Sequence, residues 1–122
     1  MPNFNYTTEQ PLPVDIAPTT DSVVPTTATA YKKGDLLVIA ADTNAATHSA
    51  TGKDFHAICL ADVTAAQATE KLAMGVEMPV YVAGKFDVAQ VKLNGVALTP
   101  TQKLAARAHA NRSLPITLSV VK

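Results

Sequence analysis

The chain has 122 residues, of which 48% are hydrophobic, 16% charged and 5% aromatic, and its ten basic side chains balance ten acidic ones. That size and balance fit one small domain and give no basic footprint for a nucleic-acid partner. Its longest apolar runs, Leu36 to Ala41 and Ala57 to Ala61, fall far short of the roughly 20 residues of a bilayer helix, so no membrane association is expected.

The first 31 residues differ in kind from the rest. Met1 to Tyr31 contains no Lys, Arg or Gly, yet holds five of the eight prolines and seven threonines. Prolines this close forbid a helix and remove ladder donors, so the segment is expected to be an extended or irregular arm, with the folded body running from residue 32 to 122. Glu9, Asp15 and Asp21 give the arm a formal charge of −3, leaving +3 on the body. Its apolar members Phe4, Tyr6, Leu12, Val14 and Ile16 are more than a solubilising tail requires, and they are the candidate contact residues for a partner on which the arm orders. On this reading, deleting residues 1–25 leaves the body folded. The start Met1-Pro2-Asn3-Phe4 lacks a basic leader and an apolar run, and the lone Cys59 can form no internal disulfide, so export is not expected.

Beyond Lys32 the pattern is that of short strands. Lys33-Gly34 marks a turn, and Asp35 to Ala41 reads as a strand buried on both faces. Asp42 to Lys53 is small, polar and ends near a Gly, which predicts a surface loop carrying His48. Phe55 to Ala61 is a second strand with both faces covered. Ala65 to Met74, followed by Gly75, has helical propensity but mostly Ala as its apolar content, so a short helix and an irregular excursion both remain open. Met78 to Val82 alternates, with Pro79 placing it at an edge or a strand start. Phe86 and Val88 share one parity and Val91 and Leu93 the other, which requires a bulge or corner near Ala89-Gln90. Asn94-Gly95 between alternating apolar residues predicts a type I′ hairpin.

One helix is well specified. Thr99, Pro100 and Gln102 form a Thr-x-x-Gln capping box with Pro at the first helical position, opening a helix to about residue 112 with Leu104 and Ala108 on one face. Its basic residues read as a solvated face. Leu114 to Val121 then closes the fold, with Ile116, Leu118 and Val120 inward.

Catalytic and metal chemistry find no foothold in this pattern. His56 and Cys59 stand three apart in a strand and so face opposite sides, and nothing beside Cys59 favours its thiolate. His48, His56 and His109 fall on separate elements and read as structural polar residues. No Gly-rich phosphate loop or nucleophile elbow occurs, so neither a catalytic residue, a cofactor nor a metal is expected. The fold class expected is mainly β, a small β-barrel-like or β-sandwich body with one short helix and an extended N-terminal arm.

The order of an extended Pro/Thr arm, Tyr31-Lys32-Lys33-Gly34-Asp35-Leu36-Leu37, a polar loop, Ala57-Ile58-Cys59-Leu60-Ala61-Asp62-Val63 and Pro79-Val80-Tyr81-Val82-Ala83-Gly84-Lys85-Phe86 resembles the head decoration (cementing) proteins of tailed bacteriophages, the lambda-type group. The likeness covers about residues 30 to 95. It implies a β-rich, non-enzymatic virion protein that sits as a homotrimer on the outside of the expanded head, made in the host cytoplasm and bound to the major capsid protein, with an arm that orders on the shell. The apparently helical 65–74 segment and the capped helix at 99–112 depart from that pattern. Rival readings are another virion component, such as a tail or fibre subunit, or a carbohydrate- or protein-binding surface module. The scarcity of aromatic rings weakens the sugar-binding version.

Overall fold

A computed structural model describes residues 18–120 of the chain. The mainly β architecture is present, and it is a barrel. Five strands, β1 (Thr19–Pro25), β2 (Leu36–Ile39), β3 (Ala45–His48), β4 (Ala57–Cys59) and β5 (Met78–Asp87), pair in the order β1-β3-β2-β4-β5, and β5 returns to pair with β1. Closure removes the unpaired edges that an open sheet would expose. It also dictates one parallel contact, because an odd number of strands cannot alternate direction all the way round a ring. That contact is β1 with β3, where Val24 faces Ala45 and Pro25 faces Ala46, while the other four pairings are antiparallel.

Strand alternation sorts the apolar side chains into two cores. Val23, Leu37, Ala46, Ala57, Cys59, Met78 and Val80 come from all five strands and fill the barrel interior, joined by Tyr31, Val63 and Ala68. Leu36, Ile58 and Tyr81, of opposite parity on β2, β4 and β5, belong to a second core outside the ring. The buried run Leu36-Leu37 and the fully covered Ala57-Ile58-Cys59 thus have both faces occupied for a concrete reason.

The chain beyond β5 covers the second core. Asp87 caps a 3-10 turn at Val88–Gln90, accepting from the Ala89 N–H at 3.0 Å, and this turn is the corner that the parity change requires. The hairpin of β6 (Lys92–Leu93) and β7 (Val96–Ala97) turns through Asn94 and Gly95 at φ 50° and 81°, both positive as a type I′ turn demands. The ten-residue β5 is long enough to serve twice. Its first half closes the barrel, and Gly84 to Asp87 pair in parallel with β8 (Ile116–Ser119).

The helices are α1 (Ala65–Met74) and α2 (Pro100–Ser113), where the sequence specified only the latter. Both open on a complete capping box, from Thr64 to Gln67 and from Thr99 to Gln102, and α1 ends on Gly75 in the left-handed region at φ 70°. The face of α2 that holds Leu104 and Ala108 points away from the core. Ala106 and Ala110 are buried, whereas Leu104 is 65% exposed and Ala108 is exposed. Small side chains let the helix approach β8 closely. There Asn111 donates to the Leu118 carbonyl at 3.2 Å and accepts from the Leu118 N–H at 2.8 Å, acting as a substitute strand partner on the outer edge. His109 ties the same helix to the Phe55 carbonyl at 2.9 Å.

Three further expectations are corrected. The arm assigned to residues 1–31, ahead of a body at 32–122, cannot be separate where it is described, because residues 19–25 are a strand of the barrel and Val23 and Tyr31 lie inside it. The Tyr31 hydroxyl accepts from the Thr26 N–H at 2.9 Å and donates to the Ala46 carbonyl at 2.7 Å, and its backbone exchanges two hydrogen bonds with Val63 at 2.8 Å. The segment 42–53 holds β3, whose two alanines are weak strand formers but whose backbone finds pairing partners on both sides. Val120 is 54% exposed, since β8 ends at Ser119.

Deleting residues 1–25 therefore removes a barrel strand, and loss of a cooperative thermal transition by circular dichroism is the expected result. A deletion ending at Ala17 keeps every described strand. Gly34 supplies a sharper probe. Its φ is 96°, and a Cβ there would stand 2.3 Å from the Gln90 carbonyl oxygen, with backbone on both sides. Gly34→Ala should cost roughly 3 kcal/mol or more, measured as a fall in denaturant midpoint at unchanged m.

Candidate interaction surface

The chemistry-bearing side chains are consumed by the fold. His48 sits on β3 rather than in a flexible loop, with Nε2 at 2.7 Å from the Ala30 carbonyl and its ring centroid 5.1 Å from that of Tyr31. Its Nδ1 is 3.6 Å from Asp35 Oδ2. His56 accepts the Ile39 N–H on Nδ1 at 2.9 Å. His109 packs edge-on to Phe55, with centroids 5.0 Å apart. The three rings thus serve three different joints. Among the described residues no group of three or more His, Cys, Asp or Glu side chains could hold a metal ion, and no helix is long and apolar enough to cross a membrane.

Cys59 is fully buried, and its thiol donates to the Ala61 carbonyl at 3.0 Å. Burial pushes its pKa up from 9.0 to about 11, so the reactive thiolate is scarce near neutrality.

The sequence-derived contact residues Phe4, Tyr6, Leu12, Val14 and Ile16 lie outside the described residues. The described surface offers instead two uncovered helix faces. On α2 a cleft of about 390 Å³ is lined by Leu104, Arg107, Ala108, Asn111 and Arg112. Arg107 Nε is buried and finds no hydrogen-bond partner among the described residues. On α1 a groove of about 310 Å³ runs between the helix and the start of β5, with Asp62, Glu70, Lys71, Met74 and Pro79 on its walls. Met74 is 69% exposed, and Leu72 and Val76 are exposed near it in sequence.

Neither face could be read from the sequence. In α2 the spacing groups Leu104 and Ala108 on one face but does not say which way that face points. In α1 the Ala-rich composition hid which side would pack; only Ala68 is buried.

The raised thiol pKa has a signed consequence. Below pH 9 the Cys59 thiol is neutral in folded and unfolded chains alike, and stability is unaffected by it. As pH rises from 9 to about 11 the unfolded chain ionises first, so stability falls, by about 2 to 3 kcal/mol in all. Tyr81, raised by burial, acts in the same direction at higher pH. Cys59→Ala should flatten the slope of unfolding free energy between pH 9 and 11. Native wild-type protein should react with a thiol reagent at pH 7.5 far more slowly than the unfolded chain.

With this geometry in place, comparison with known proteins adds no relative: no protein-family model matches the chain, and no curated protein shows significant similarity to it.

Proposed function

We propose that this chain is a capsid decoration protein of the lambda-type phage group, a structural virion component that binds the outside of the expanded head through the major capsid protein and reinforces the shell as a homotrimer. The observation that carries the reading is where the resemblance falls. Its segments coincide with the residues that fix the ring. Gly34 packs against the Gln90 carbonyl and Asp35 is fully buried, Ala57 to Cys59 form β4, and Pro79 to Phe86 form most of β5. Positions with such strict steric and polar demands bear on the fold more than on surface composition, and this supports the reading.

The attachment of the N-terminal segment supports the same role. A segment that clamps a shell must transmit load to a rigid body. β1, the first described strand, is held on both flanks, by β5 over Thr19 to Val23 and by β3 at Val24 and Pro25. Extended segments bind by adding main-chain hydrogen bonds to a strand edge and lodging alternate side chains in pockets, at the cost of ordering entropy. Three modules held around one axis recover that cost through effective concentration. The function is one of adhesion, and no covalent step is involved.

The test is to mix purified protein with expanded heads that lack decoration, sediment them, and image the pellet. Ordered density on the outer surface is the expected result, and heads that stay bare at saturating protein overturn the proposal. Substituting Leu12, Val14 and Ile16 together by Ser should reduce occupancy at least tenfold and leave the melting temperature unchanged. Raising salt to moderate levels should have a smaller effect, because exposed ion pairs are weak and screened.

A further inference from the structure

We infer that the two uncovered helix faces are the two halves of one self-contact, in which the α2 face of one copy packs on the α1 face of the next. The inference deepens the assembly part of the reading above by naming the contact, but it rests on different observations.

The first observation is charge. α2 carries Lys103, Arg107 and Arg112 and no carboxylate along its length. The region of α1, from Asp62 to Pro79, carries Asp62, Glu70 and Glu77 against the single cation Lys71. The second is apolar content placed beside those charges. Leu104 at 65% exposure stands at the basic cleft and Met74 at 69% at the acidic groove, and these are two of the most exposed large apolar side chains described.

The geometry of the fold then decides the kind of contact. α1 is anchored through Ala68 to the barrel interior and lies against β1, whereas α2 is anchored through Ala106 and Ala110 to the second core and lies against β8. The faces belong to different parts of the body, so one copy cannot bring its own two together. Two unlike surfaces that complement each other make a heterologous contact, which repeats head to tail and closes into a ring when the rotation allows. An isologous dimer built on the α2 face alone would instead place basic face on basic face.

The test is sedimentation equilibrium of the full chain over a wide concentration range at low and moderate salt, with circular dichroism melts to confirm folding. Wild type should self-associate, more weakly as salt rises. Glu70→Arg or Arg112→Glu alone should weaken association at least tenfold, and the double variant, which restores opposite charges across every contact, should recover most of it. Leu104→Asp, on the exposed side of α2, should abolish association without lowering the melting temperature. A chain that stays monomeric up to millimolar concentration overturns the inference, as does association indifferent to these substitutions or a double variant no better than the singles. Head binding is scored separately. Decorated heads with indifferent variants sink the contact alone, and bare heads with a working charge swap sink the capsid reading alone.

Discussion

The buried carboxylate of Asp35 is the joint on which the rest of the body closes. One oxygen accepts the Lys32 N–H and the other the Gly95 N–H, each at 2.8 Å, so a single side chain holds both the turn that enters β2 and the hairpin beyond β5, sixty residues later. Its backbone carbonyl takes the Cys59 N–H at 2.8 Å, which sets β4 against β2, and His48 of β3 stands beside it. Backbone donors aimed at a carboxylate make short, strong hydrogen bonds, and here they replace the water that a buried charge has lost. An apolar residue at this place would leave two N–H groups orphaned in the interior. Gly34 next to it is constrained by the same joint, since the Gln90 carbonyl occupies the space of a side chain and the Lys92 N–H bonds to the Gly34 carbonyl at 2.9 Å.

That joint also explains the double use of β5. Once β4 and β1 flank its first half, the barrel is complete, and the remaining residues Gly84 to Asp87 extend past it with a free pairing side. β8 takes that side in parallel, which requires a crossover, and α2 supplies it. The second core exists because this crossover must lie on something. It lies on the outward residues Leu36, Ile58 and Tyr81 of the ring, supplemented by Phe86, Ile116 and Leu118. Two cores for so small a chain explain why few large apolar residues are left outside among the described residues, and Leu72, Met74 and Leu104 on the helices are three of them.

Legibility in the sequence tracked how local the cause was. The Asn94-Gly95 turn, the Thr99 capping box and the corner at Val88–Gln90 each depend on a few neighbouring residues, and each was readable. Thr64-Ala65-Ala66-Gln67 carried the same box as Thr99 and could have settled α1, but its weak apolar content distracted from the cap. β1 and β3 were illegible because their cause is remote. Thr19 to Pro25 looks like an arm by composition, and it is a strand because β5 and β3 offer it two edges. Ala45 to His48 has only Thr47 as a good strand former, and ring closure recruits the rest. Asp35 carries no local sign of its role, since its partners sit at Gly95 and His48.

The helix faces failed to be read for a different reason, which concerns volume. Along Ala105-Ala106-Arg107-Ala108-His109-Ala110 alanines fall on every side, so apolar periodicity cannot choose between the Leu104 and Ala108 face and the Ala106 and Ala110 face. The choice is made by the space above β8. Asn111 can bond Leu118 and His109 can reach the Phe55 carbonyl only if the helix comes close, and a leucine at the contact would hold it away. Alanine therefore faces inward and the larger residue outward, against the usual expectation that size seeks the core. An exposed leucine that results from such a constraint is a by-product of packing on its own. Beside cations, and with an acidic groove elsewhere on the same chain, it becomes the surface most in need of a cover.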